Sequence, residues 1–141
     1  MTQDTDCIFC KIVAGQVPCF KLAEDVRALA FMDISPANPG HALVIAKAHA
    51  PDLFAVDPED LTAVVRLAQR VAAAIRDELD PPGMNLLQAN GPAAAQSVAH
   101  FHVHVLPRRM DDGLAMNWRL APGNMDVIAA LAERLRDRVT S

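Results

Sequence analysis

Apolar residues follow two periods along this chain. From Leu61 to Leu79 they recur every three or four positions, at Leu61, Val64, Val65, Ala68, Val71, Ala72, Ile75 and Leu79. That spacing is one face of an α-helix. Asp57 suits the N-cap and Pro58 the first helical position, and Glu59 and Asp60 meet the positive end of the helix dipole. The Asp-Pro-Pro-Gly run at 80–83 stops the helix. A second amphipathic helix is predicted over residues 125–139, with Ile128, Leu131, Ala132 and Leu135 as its stripe. A short helix is predicted over residues 7–14, ended by Gly15.

Elsewhere the apolar runs are short. Residues 20–22, 27–32, 41–46, 84–89 and 99–106 read as strands. Glu24-Asp25 makes a turn between the first two, and a Pro- and Gly-rich loop at 35–40 precedes the third. Strands grouped around one long helix, with no repeat and no biased linker, predict a single domain over residues 1–141. Its class is α+β, with a mostly antiparallel sheet.

Composition narrows the partners. The 141 residues are 52% hydrophobic and 21% charged, enough to bury a core. A net charge of -4 argues against a nucleic-acid partner, which needs a basic surface. A small anionic ligand remains compatible, because a local site can be positive. The polar, acidic start at residues 1–6 does not read as a signal peptide, and no apolar run is of bilayer length. A cytoplasmic protein without a membrane partner is expected. Three cysteines, Cys7, Cys10 and Cys19, do not make a disulfide framework. Cys7-x-x-Cys10 reads either as a redox pair or as half of a metal site, and Cys19 as a small apolar residue.

The chemistry concentrates in His100-Phe101-His102-Val103-His104-Val105-Leu106, which holds three of the five histidines. On a strand the three imidazoles share one face, and Phe101, Val103 and Val105 share the other. Neutral imidazole is a nucleophile and a proton carrier near pH 7. Neighbouring imidazoles compete for charge, so at least one stays neutral, and a protonated neighbour can hold a phosphate oxygen. Just upstream, the small-residue run from Asn90 to Ser97 offers backbone N–H groups and the Ser97 hydroxyl to a phosphate.

These segments resemble the histidine-triad family, named for His-x-His-x-His followed by two apolar residues. Ala95-Gln96-Ser97-Val98 is similar to the family's run before the triad. Phe31-Met32-Asp33-Ile34-Ser35-Pro36 is similar to its ribose-binding strand end, and Pro39-Gly40-His41-Ala42-Leu43-Val44-Ile45 to its Pro-Gly-His strand. Cys7-Ile8-Phe9-Cys10-Lys11-Ile12, followed by Pro18, resembles the amino terminus of the bacterial nucleoside-phosphoramidase branch. The resemblance spans about residues 7–118, leaving 119–141 as a helical extension.

The resemblance implies roles for particular residues. His102 would form a covalent nucleotidyl intermediate, and His104 would contact the scissile phosphate. Ser97 and the backbone near Gln96 would hold phosphate oxygens, with Ser97 helping to protonate the leaving group and Asn90 nearby. Asp33 would accept from the ribose hydroxyls, and Ile8, Phe9, Phe31 and Ile34 would wall a purine. His41 would support the triad from behind. The implied reaction is hydrolysis at the α-phosphorus of a purine nucleoside 5'-phosphoramidate or a related adenylate. Leu106-Pro107-Arg108 and Trp118-Arg119 look more like the dinucleoside-polyphosphate hydrolase branch, which makes that activity the alternative. A nucleotide-binding or interaction protein with slow turnover is the third reading, kept open because Ala95 stands where the family has Gly.

His49 resembles a histidine that binds zinc in some bacterial members. With Cys7, Cys10 and His100 it would complete a structural zinc site of two Cys and two His. The resemblance also implies a two-fold homodimer. Independently, the predicted helix at 58–79 is apolar around more than one stripe, since Ala63, Leu67, Ala73 and Ala74 join the first. Such a surface asks for a cover, either a second copy or the carboxy-terminal helix.

Overall fold

Asp57 accepts from the Glu59 N–H (2.8 Å) and starts α2, Pro58–Leu79. The helix ends at Asp80, which turns into the left-handed region at φ 45. Only part of its apolar surface faces the sheet. Val64, Leu67, Ala68, Val71 and Ile75 are buried, whereas Val65 and Leu79, expected on the same face, are about half exposed.

The computed structural model describes residues 2–115 and 118–140. Five strands form one wholly antiparallel sheet in the order β1-β2-β3-β5-β4. They are β1 Lys21–Glu24, β2 Ala28–Met32, β3 Ala42–Ala46, β4 Gly83–Leu87 and β5 His102–Arg108. The fold is α+β, as the apolar pattern predicts.

The sheet is covered on both faces. Ala28, Ala30, Val44, Phe101, Val103 and Val105 pack with α2. Leu29, Phe31, Leu43 and Ile45 point the other way, toward Phe9 of α1, Ile8–Val13. All five residues of β3 are therefore buried, which is why its sequence is a continuous apolar run. Arg27 pairs with the buried Asp60 (2.7 Å) and ties the start of β2 to the first turn of α2. Gly40 sits at φ +93, a conformation that L side chains rarely adopt, and a Cβ there would also press on Leu79 Cδ1 and, at 3.0 Å, on Pro107 Cγ.

Several strand boundaries differ from expectation by one to three residues. β5 starts at His102 rather than 99, because His100 N donates to Val98 O and Phe101 N to Ala50 O. β4 ends at Leu87, beyond which Gln88 and Asn90 bond each other's amides. β1 runs to Glu24, and the turn that follows is closed by Asp25 accepting from Arg27 and Ala28. The carboxy-terminal helix α3, Met125–Thr140, forms as predicted but buries none of its residues. No helix among the described residues is long and apolar enough to cross a membrane.

Candidate active site

Strand register assembles the histidines. On β5, His102 lies opposite Ile45 and His104 opposite Leu43, on the sheet face turned toward α1. His100 sits just before the strand, yet its ring stays beside that of His102, both packed on Phe9. The Phe9 ring centroid is 5.7 Å from His100 and 5.1 Å from His102, and His102 is 5.0 Å from His104. His41 enters from the loop before β3, its centroid 5.1 Å from that of His104.

Backbone groups decide where each ring holds its proton. A carbonyl only accepts, so His102 Nδ1 donates to His100 O (2.6 Å). His102 Nε2 is then the nitrogen with a free lone pair. Ala37 N–H donates to His41 Nδ1 (3.0 Å), which puts the proton of neutral His41 on Nε2. That proton points to His104 Nδ1 (2.9 Å), so neutral His104 is protonated on Nε2. Burial pushes His102, His104 and His41 toward the neutral form. His104 falls to about 4, through burial first and then the neighbouring His102 and His41.

A cavity of about 520 Å³ opens beside these rings. His102, His104, His41 and Ser97 lie on its wall. So do Ile8, Phe9, Phe31, Asp33 and Ile34, all predicted from sequence to contact a nucleoside. Phe9 and Phe31 are buried and meet edge to face, whereas Ile34 is open to solvent. Asp33 does two things: Oδ1 accepts from Ser35 N (2.8 Å), and Oδ2 lies 3.5 Å from His41 Nε2. Val17, Pro18 and Cys19 also line the cavity. Sequence reasoning assigned none of the three to the cavity, because small apolar residues carry no chemical signal and the turn after α1 brings them in.

Two further predicted residues have side chains that brace the loop before the triad. The Asn90 amide holds Leu53 N (2.8 Å) and Gln88. The Gln96 side chain likewise braces the loop, accepting from Gly91 N and donating to Pro51 O and Val98 O. Its own N–H donates to Gly91 O (3.2 Å). Ala95 adopts φ 60, ψ 36, so the loop keeps a left-handed position without glycine. The strain is about 1 kcal/mol.

Cys7, Cys10, His49 and His100 converge behind the rings, with their ligand atoms all within 4.8 Å of one another. His100 Nε2 donates to Ala46 O (2.6 Å), leaving the Nδ1 lone pair turned to Cys7 Sγ (3.3 Å) and Cys10 Sγ (3.5 Å). Burial raises the Cys10 thiol, so its thiolate needs a cation beside it. Two soft thiols and two imidazole lone pairs are a donor set that fits zinc.

The sequence profile of the HIT domain matches residues 14–111. The chain belongs to the HIT family. Over 134 residues it is 41% identical to the adenosine 5'-monophosphoramidase of Schizosaccharomyces pombe, an alignment covering 94% of this chain and 98% of that one. The crystal structure of a HIT family protein from Bacillus anthracis superposes with a TM-score of 0.89 at 40% identity, covering 97% and 99% of the two chains. A zinc-bound histidine triad family protein from Mycobacterium smegmatis superposes with a TM-score of 0.73 at 38% identity, covering 93% and 96%. The residues that match the HIT profile span the sheet, α2 and the histidine cluster.

Proposed function

We propose that this HIT protein hydrolyses a purine nucleoside 5'-phosphoramidate or related adenylate, with His102 as the nucleophile. The observation that carries the reading is the tautomer of His102. Its Nδ1–H is held by the His100 carbonyl, and the ring lines the cavity with Nε2 unprotonated. In the first step Nε2 bonds to the α-phosphorus while the bond to the leaving nitrogen breaks. That nitrogen takes a proton from solvent through the Ser97 hydroxyl. Water then attacks phosphorus and the Nε2–P bond breaks, releasing the nucleoside monophosphate. His104 Nε2–H donates to a phosphoryl oxygen, and His41 holds His104 in that tautomer. Asp33 accepts from the ribose, and Ile8, Phe9, Phe31 and Ile34 wall the base. The 41% identity to an adenosine 5'-monophosphoramidase supports the substrate class.

Cys7, Cys10, His49 and His100 would hold one structural zinc, which supplies cross-linking of α1 to the start of β5 and no chemistry of the reaction. A homodimer is the expected assembly.

His102→Ala should lower turnover of adenosine 5'-phosphoramidate about a thousandfold or more while leaving nucleotide affinity largely intact. Acid-quenched wild type should carry nucleotide on His102. A variant that turns over near the wild-type rate would refute the assignment.

A further inference from the structure

The two cysteines behind the histidine rings form a pair that can bridge. Cys7 caps α1 and Cys10 lies in its first turn, where Cys10 N donates to Cys7 Sγ (3.5 Å). Their sulphurs lie within 4.8 Å of each other. Rotation of the two side chains can close that gap to the roughly 2 Å of a disulfide bond. Access to the two differs. Cys10 is 3% exposed, whereas Cys7 is only partly buried. An oxidant from solvent therefore meets Cys7 first, with Cys10 behind it to resolve what forms.

The same sulphurs tie α1 to the rest of the site. Cys7 Sγ lies 3.3 Å from His100 Nδ1, just before β5, and Cys10 Sγ lies 3.4 Å from His49 Nδ1, just after β3. Between the cysteines stand Ile8 and Phe9, both on the wall of the nucleoside cavity. Phe9 also meets the His102 ring edge to face, with centroids 5.1 Å apart. A disulfide would engage the sulphurs with each other and withdraw both from the histidines. The two residues that stand between the cysteines would carry that change directly to the cavity wall.

We propose that Cys7 and Cys10 are a peroxide-sensitive pair whose disulfide releases the zinc and loosens the nucleoside cavity. The inference rests on the zinc reading above. Both sulphurs are thiolates in the loaded site, because a coordinating thiol is deprotonated. Cys7 Sγ attacks one oxygen of hydrogen peroxide, the O–O bond breaks and hydroxide leaves, giving a sulfenic acid on Cys7. Cys10 Sγ then attacks the Cys7 sulphur and displaces a second hydroxide, closing the disulfide. The two thiolates are oxidised by two electrons, and the peroxide is reduced to two hydroxides. His49 and His100 alone are too few donors to retain the ion.

The test oxidises holoprotein whose zinc content has been fixed by metal analysis. Hydrogen peroxide is added in stoichiometric steps beside a chromogenic zinc chelator. Trypsin cuts after Lys11 and Lys21, so Cys7 and Cys10 share one peptide and Cys19 falls in another. Zinc release should rise in step with a Cys7–Cys10 peptide lighter by a pair of hydrogens, while the Cys19 peptide stays unchanged. Affinity for adenosine monophosphate should fall about tenfold or more. Dithiothreitol with added zinc should restore it. Cys7→His keeps a fourth donor but cannot close the disulfide, so it should hold its zinc and its affinity through the same titration. Release and disulfide are read on one wild-type sample, so the test does not depend on that variant folding. If wild type keeps its zinc, loses it without the disulfide, or binds the nucleotide equally in both forms, the switch is wrong and the zinc reading stands. Release from Cys7→His at the wild-type rate overturns it equally. If wild type is isolated without zinc, both fall.

Discussion

His104 shows how single residues are tuned in this site. Burial, with His102 and His41 close by, lowers it to about 4. A folded pKa below the unfolded value of about 6.5 means that the neutral ring stabilises the fold above pH 6.5. Between pH 6.5 and about 4 the unfolded chain binds a proton that the folded chain refuses, so stability falls as the pH drops through that window. For His104 the loss has an upper bound of roughly 3 kcal/mol. NMR should find its ring resonances unchanged from pH 8 to 5, and denaturant melts should lose less stability toward pH 4.5 in His104→Gln than in wild type. A midpoint near 6.5 for His104 would contradict this account. The identity of the histidines was legible in the sequence, but their tautomers were not. Those depend on the His100 carbonyl and the Ala37 N–H, and backbone groups carry no sequence signal. Ala95 is similar: the missing glycine was visible, while the retained φ of 60 was not.

Among the elements, α1 joins two functions in six residues. Cys7 caps it and Cys10 lies within it, while Ile8 and Phe9 face the nucleoside cavity. A metal bound by the cysteines would therefore hold the base wall in place. Protein purified without added zinc should contain about one zinc per chain. Cys10→Ser should lower Tm by about 4 °C or more and raise KM more than it lowers kcat. Metal-free protein with both thiols freely titratable would overturn the zinc site. Period and capping residues made the helices readable, since they are local. Strand ends were less readable: β5 is shortened because residues 100 and 101 bond to Val98 and Ala50, partners outside any strand ladder.

At the scale of the whole molecule, two apolar stripes remain open. Val65 and Leu79 on α2 are 48% and 49% exposed, and Ile128, Leu131 and Leu135 on α3 are 50%, 43% and 50% exposed. The carboxy-terminal helix therefore does not shield its own stripe within one chain, let alone that of α2. β4 also lies at the sheet edge, with Leu86 51% exposed. A second copy is the cover we propose, and light scattering at micromolar concentration should give twice 15.2 kDa. A mass near 15.2 kDa would refute the dimer.

The elements and the inventory of reactive groups were legible along the chain. Helical and strand periods, the Asp57 cap and the His-x-His-x-His alternation are local features, encoded by neighbours along the chain. Which groups meet follows from packing and strand order. Cys7 and Cys10 reach His100 across some ninety residues, and His41 reaches His104 across sixty-three, because antiparallel register brings β3 beside β5 and α1 against their open face. Packing also set the Asn90 amide and the Gln96 side chain to brace the loop, through Leu53 N and Gly91 N. Separations along the chain carry no trace of such meetings, which depend on sheet order.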